Sequence, residues 1–250
     1  RDAKRLMDTA AENDVEGVTA AIQALTGNFN KASEKVSDTA LSSVSFIHPA
    51  DLDMGEIEPD DLVENALGQG VMSCIYAPPG SGKTFVALDL GAQVATGKPW
   101  HGREVEQGAV LYIGLEGKSG VKRRIKALKK EGIINNDSPL IASPSSIDLL
   151  SPSSNMQWIT AIKRDLVKQG HDIKLVIIDT LLRAMAGGNV SDSQDMSQAV
   201  EHGLQIVEEI GCTVILIHHT GKDITKKELG SIALRAGLDS SIFVEKSAGG

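Results

Sequence analysis

The apolar positions of the chain fall into two rhythms. Val71–Tyr76, Ala109–Gly114, Lys174–Thr180 and Cys212–Ile217 are short runs of β-branched and aliphatic residues. They have strand length and little alternation, the pattern of strands covered on both faces, as in a parallel sheet. Between them lie stripes with helical spacing. Phe85–Ala95 is one. The others are 119–131 with Val121, Ile125 and Leu128, 155–170 with Trp158, Ile159, Ile162 and Leu166, and 195–210 with Met196, Ala199, Val200, Leu204, Val207 and Ile210. Alternating strands and helices predict an α/β domain whose mainly parallel central sheet carries helices on both faces. Pro139–Ser143 and Ser241–Lys246 read as further strands.

Upstream the rhythm weakens. Leu6, Ala10, Val15, Val18, Ile22 and Leu25 mark a helix over 1–26, stopped at Gly27-Asn28. Residues 28–45 are polar and read as a linker or a weakly held helix. The expected organisation is an N-terminal helical arm and linker over 1–47 and one domain over 48–250. The arm either packs on its own domain or contacts a neighbouring subunit. A start in mid-helix without Met, and an end at Gly249-Gly250, are expected of a fragment of a longer protein. From Asp51 to Glu64 runs a dense acidic stretch, by default a solvated face.

Composition sharpens the picture. The chain is 41% hydrophobic but only 3% aromatic, so the core is built from Val, Ile, Leu and Ala. A net charge of −8 argues against a broadly basic nucleic-acid-coating surface, while leaving room for a local basic channel. Cys74 and Cys212 sit in apolar runs and read as reduced core thiols, which fits a cytoplasmic protein. No apolar run approaches the ~18 residues of a membrane span.

Between the first strand and the first helix of the domain stands Ala77-Pro78-Pro79-Gly80-Ser81-Gly82-Lys83-Thr84. Strand, glycine-rich turn and Gly-Lys-Thr opening a helix form the context of a phosphate-binding P-loop. Gly80 and Gly82 let successive amides turn inward around a polyphosphate, and the helix N-terminus aims its unpaired N–H groups there. Lys83 can reach the β- and γ-phosphates, and the Thr84 hydroxyl can hold Mg²⁺. Pro79, Gly80, Ser81, Gly82, Lys83, Thr84 and Phe85 are the expected nucleotide-binding residues, with ATP and Mg²⁺ as ligands. Ala77 replaces the usual first glycine.

Two carboxylates follow strands. Asp179 ends a buried run, where an acid is costly unless paired or bound to a cation, so it reads as a second Mg²⁺-ordering residue beside Thr84. Glu116 lies at the carboxyl end of its strand, where open parallel sheets bind ligands. It is either the base that activates water or a plain acid at a helix N-terminus. His218 and His219 end another strand and point to opposite sides, one into the core or an interface and one toward the nucleotide. The basic helix at 119–131 reads as a solvated face, with contact to phosphate or to an acidic neighbour as the alternative.

The order of these pieces, together with Ala95–Trp100, Tyr112–Glu116, Val176–Thr180, His218–Lys222 and Ala233–Ala236, resembles the RecA-like ATPase domains of plasmid and phage replicative helicases, the RepA-like group. The resemblance covers about 62–246. It implies a RecA-like P-loop NTPase core and a homo-oligomeric ring, usually hexameric, with ATP sites between subunits. It implies catalytic roles for Lys83, Glu116, Asp179 and one of the histidine pair, His219 ahead of His218, and a cation, Arg235 or Lys222, that reaches the neighbour's γ-phosphate. Here Leu229 stands before Gly230-Ser231 where relatives commonly carry Arg, so Arg235 also has a structural reading. Loops 183–195 and 221–231 would face a channel for single-stranded DNA through Arg183, Lys222, Lys226 and Lys227. A primase or a replication initiator would be a further partner, and no membrane is expected.

The expected function is therefore an ATP-hydrolysing, ring-forming helicase motor. The alternatives are a RecA-like ATPase of recombination or regulation without unwinding activity, and a small-molecule P-loop kinase. The kinase would need an acceptor pocket and an Arg-rich lid, in place of which stand His218–Lys222 and a terminal strand.

Overall fold

The computed structural model describes residues 60–143, 147–151, 153–220 and 232–245. The expected helix at 1–26, its linker, the expected boundary at 47/48, most of the acidic run and the loop 221–231 with Lys222, Lys226 and Lys227 lie outside the described residues. No helix among the described residues is long and apolar enough to cross a membrane.

Six strands form the central sheet: β3 (Met72–Ala77), β4 (Ala109–Gly114), β5 (Leu140–Ser143), β6 (Ile173–Asp179), β7 (Thr213–His219) and β8 (Ser240–Phe243). Their spatial order is β5-β4-β6-β7-β3-β8, and every neighbouring pair is parallel. The helices are α1 (Lys83–Thr96), α2 (Lys118–Lys130), α3 (Ser153–Val167), α4 (Leu181–Ala184), α5 (Ser193–Ile210) and α6 (Ile232–Ala236). This is the α/β architecture that the strand and helix rhythm predicts, and it agrees with the RecA-like P-loop NTPase core that the resemblance implies.

Alternate strand residues serve two core layers, because successive side chains leave opposite faces of a strand. Leu111, Ile113, Val176, Ile178, Val214 and Leu216 pack with Ile159 and Leu166 of α3 and with Met196, Ala199 and Ile206 of α5. Val110, Tyr112, Leu175, Ile177, Ile215 and Ile217 pack with Ala87, Leu90 and Val94 of α1 and with Val121 of α2. So α1 and α2 cover one face of the sheet, and α3 and α5 cover the other. Both cysteines are buried free thiols, and burial pushes each up to about 12. Trp158 is half-buried against the α3/α5 layer.

Three local features differ from the sequence reading. Before β3 the chain forms an antiparallel hairpin, β1 (Asp61–Val63) with β2 (Leu67–Gly68). Asp61 Oδ2 accepts the Asn65 N–H at 2.8 Å and the Val63 carbonyl accepts the Ala66 N–H at 2.9 Å, which closes the turn. This acid therefore has a local structural task, and Leu62, Val63 and Leu67 are buried by the hairpin. Residues 183–195 are only partly loop: Arg183 lies on α4, and α5 already begins at Ser193. The Asp192 carboxylate accepts the N–H groups of Gln194 at 2.9 Å and Asp195 at 3.0 Å, capping the helix ahead of its first buried residue. Finally, β7 continues through both histidines.

Candidate nucleotide site

The P-loop connects β3 to α1 at the carboxyl end of the sheet. Gly80 has φ +77° and Gly82 φ +93°, a left-handed region that a side chain disfavours. Gly82 is the N-cap of α1 and offers no capping side chain. The first-turn N–H groups of a helix have no carbonyl one turn earlier to bond, so they remain available to an anion. Lys83 is buried at 4% exposure. Its Nζ donates to the carbonyls of Ala77 and Pro78, both at 2.9 Å. Burial lowers its pKa, and the Asp179 and Glu116 carboxylates push the other way.

Strand order brings the remaining groups together. β7 separates the P-loop strand β3 from β6, and β4 lies beyond. The ends of β7, β6 and β4 therefore present His219, Asp179 and, just past Gly114, Glu116 along one side of the P-loop. A cavity of about 230 Å³ is lined by Gly80, Gly82, Lys83, Thr84, Phe85, Glu116, Arg124, Asp179, Thr180, Ile217 and His219. A second, of about 260 Å³, lies between Pro78–Ser81 and Phe243, Val244 and Glu245 on the β8 flank.

Asp179 is 1% exposed. Its Oδ2 accepts the Thr84 hydroxyl at 2.8 Å and the Tyr112 hydroxyl at 2.7 Å. Its Oδ1 is buried without a protein partner, as are Thr180 Oγ1 and His219 Nδ1. A buried carboxylate with one satisfied oxygen and one orphan is expensive unless a cation or its water shell completes it. The donor set of Thr84 hydroxyl and Asp179 carboxylate is hard oxygen, which fits Mg²⁺. Glu116 Oε1 lies 3.9 Å from His219 Nε2, with both side chains partly exposed to the cavity. Burial, and then the Lys83 charge, lower the pKa of His219.

The expected nucleotide-facing residues Gly80, Gly82, Lys83, Thr84, Phe85, Glu116, Asp179 and His219 thus line one cavity, while Pro79 and Ser81 border the second. Ser81 Oγ donates to the Pro78 carbonyl at 2.9 Å and braces the loop. Of the histidine pair, His219 enters the cavity and His218 is buried. Arg183 and Arg235 are exposed and line neither cavity.

Two residues were missed. Tyr112 reads in sequence as one more strand apolar, yet its parity places it on the α1 face, beneath the P-loop helix. Burial and the adjacent Asp179 raise its pKa, so it stays a hydrogen-bond donor. Arg124 reads as part of the solvated basic face. It follows Val121 by three residues, which turns it toward the sheet. Its guanidinium carbon stands 6.0 Å from the centre of the exposed Phe85 ring, at the cavity rim.

The sequence profile of the AAA domain family matches residues 41–224. The chain belongs to this family. The matched stretch contains the P-loop, Glu116, Asp179 and His219, so the AAA domain and the cavity coincide. A RecA-like P-loop ATPase domain is what the motifs, the parallel sheet and this match describe together, and the family implies nucleotide as ligand, usually with Mg²⁺. The chain is also 29% identical, over 151 residues, to a protein of Methanobrevibacter smithii named DNA repair and recombination protein RadB. The aligned stretch is 59% of this chain and 56% of that protein, so the chain spans about half the length of the curated relative.

Proposed function

We propose that the chain is a RecA-like ATPase of DNA recombination or its regulation, hydrolysing ATP in response to single-stranded DNA without separating strands itself. The observation that carries the ATPase reading is the set Lys83, Thr84, Asp179, Glu116 and His219 around one cavity, with an orphaned carboxylate oxygen at its base. The recombination reading rests on the likeness to the protein named RadB.

In this reading the P-loop amides bind the polyphosphate, and Lys83 exchanges two carbonyl partners for anionic oxygens. Thr84 and Asp179 would hold Mg²⁺, which would supply positive charge to offset that of the polyphosphate. The Tyr112 hydroxyl keeps Asp179 oriented. Glu116 accepts the proton of the attacking water, and His219 beside it responds to the state of the γ-phosphate. The nucleoside leaves on the side away from these catalytic groups, toward Phe243 and Val244. Arg235 completes the site of a neighbouring copy, and Arg183 with Lys222, Lys226 and Lys227 contacts the DNA backbone.

The order of the motifs supports a second reading, a ring-forming replicative helicase. One experiment separates them: Mg²⁺-dependent ATP hydrolysis with and without single-stranded DNA, beside strand separation on a forked duplex. The proposal expects DNA-stimulated hydrolysis, no unwinding, and loss of turnover in Glu116→Gln with nucleotide binding kept. Unwinding would make it a helicase. Phosphoryl transfer to a small acceptor, with no response to DNA, would make it a kinase.

A further inference from the structure

Thr180 follows Asp179 directly and has no part in the chemistry described so far. It is 2% exposed and lines the nucleotide cavity. Its Oγ1 is buried and has no partner among the described residues. It is also the N-cap of α4, with extended backbone at φ −124° and ψ 163°. A threonine there ordinarily turns its hydroxyl back to accept an N–H of the first turn. This one does not. The Arg183 and Ala184 N–H groups go to the Thr180 carbonyl instead, both at 3.0 Å. On α5 the Asp192 cap shows the contrast, since its carboxylate accepts two N–H groups. A hydroxyl that forgoes its local partner and is buried without another is unfavourable in the ligand-free chain. Its partner is then a molecule in the cavity that Thr180 lines.

The sheet topology says what else that molecule meets. β6 lies between β4 and β7. Asp179 is in register with Gly114 on β4 and with Ile217 on β7. The Leu115 N–H donates to the Asp179 carbonyl at 2.7 Å, so Glu116 follows beside Thr180 on one side. His219, two residues past Ile217, follows on the other. Glu116 Oε1 and His219 Nε2 approach to 3.9 Å. Side chains from two flanking strands that come this close meet over the end of the strand between them. That end is Asp179-Thr180, so Thr180 forms the floor under the Glu116–His219 pair.

We propose that the Thr180 hydroxyl holds the attacking water between itself and Glu116. This rests on the ATPase reading and adds a residue to it. A water has two protons, and the attack removes one. The water oxygen bonds to the γ-phosphorus, the bond from that phosphorus to the ADP oxygen breaks, and ADP keeps the electron pair. One proton goes to Glu116. The other stays on the new phosphate, and during the attack Thr180 Oγ1 accepts it as a hydrogen bond. The hydroxyl's own proton is donated to a γ-phosphate oxygen and is not transferred. A water held by two acceptors keeps its lone pair aimed at phosphorus, which is an orientational gain.

The test compares Thr180→Val, which keeps the shape and deletes the hydroxyl, with Thr180→Ser, which retains it, both in the full chain. With single-stranded DNA present, T180V should lower kcat by about ten-fold or more and leave KM for ATP within about two-fold. T180S should keep most of the rate. The second readout needs no turnover. Mg²⁺-ADP with aluminium fluoride mimics the γ-phosphoryl group under attack, so it should raise the wild-type melting temperature beyond Mg²⁺-ADP alone. T180V should keep the ADP shift and lose the added one, while T180S keeps both. Ligand-free T180V should melt at the wild-type temperature or higher, because an unpartnered polar group is gone. The proposal is overturned if T180V keeps the rate and the added shift, or if T180S loses them as fully as T180V does. It is also overturned if ligand-free T180V melts clearly lower, which would give the hydroxyl a structural task. A wild type that neither hydrolyses ATP nor responds to aluminium fluoride overturns the ATPase reading along with this one. A wild type that does both keeps the ATPase reading whatever T180V shows.

Discussion

At the scale of single residues, the site turns on how Asp179 is held. Two hydroxyls, from Thr84 and Tyr112, share one carboxylate oxygen and leave the other bare. Tyr112→Phe keeps the ring and removes one donor, so the carboxylate gains rotational freedom. The expected outcome is a several-fold higher Mg²⁺ requirement for binding a fluorescent ADP, with about 1 kcal/mol lost in urea unfolding. An unchanged Mg²⁺ titration would show that Thr84 alone suffices. Glu116→Gln makes a different test. The amide keeps shape but cannot accept the proton, so turnover should fall at least ~100-fold while ADP affinity stays within a few-fold. His219 carries a pH signature. Its folded pKa lies below its unfolded value, so at low pH the unfolded chain binds a proton that the folded chain resists. Stability is therefore unaffected well above pH ~6.5 and falls as pH drops through that value. His219→Gln should flatten the melting-temperature profile below about pH 6.5, and an identical profile would remove this group as its source.

At the scale of elements, β4 and α2 are joined through Gly114. A Cβ there would lie 2.4 Å from Val121 Cγ2 and 2.8 Å from Tyr112 Cε1, contacts that packed atoms do not make. Gly114→Ala must shift α2 or rotate the Tyr112 ring, and both hold site residues. A loss of about 1–3 kcal/mol is expected from the overpacking, together with a raised Mg²⁺ requirement. Denaturant midpoints and the same Mg²⁺ titration check both effects. Elements were also where sequence reading served best. Strands β3, β4, β6 and β7 and helices α1, α2, α3 and α5 were legible because each has enough residues to display its period. The hairpin at 61–68 was not, since its strands of three and two residues are too short for alternation to appear. Asp179 was legible because an acid ending a buried strand is costly. Tyr112 was not, because its role depends on which of two faces it meets. Arg124 was hidden among six other cations, distinguished only by its offset from Val121.

At the scale of the whole molecule, four strand ends converge on one ligand site, so the site and the sheet are coupled. β3, β4, β6 and β7 each contribute at their carboxyl ends, and together they form the centre of the six-stranded sheet. A ligand that binds only the folded chain adds its binding free energy to that assembly. At one hundred times its Kd this is about 2.7 kcal/mol. For a chain of this size, each kcal/mol moves the melting temperature by about 2–4 °C. Mg²⁺-ADP at that excess should therefore raise the melting temperature by about 5–10 °C. Lys83→Ala should abolish most of the shift, because it removes a buried cation from the cavity wall. Its effect on the ligand-free melting temperature should be smaller, since the lowered pKa of Lys83 marks a charge that burial disfavours. Chelating Mg²⁺ should shrink the wild-type shift and leave the ligand-free protein unmoved. If Lys83→Ala keeps the full shift, the polyphosphate is held elsewhere, and the assignment of this cavity as the nucleotide site fails.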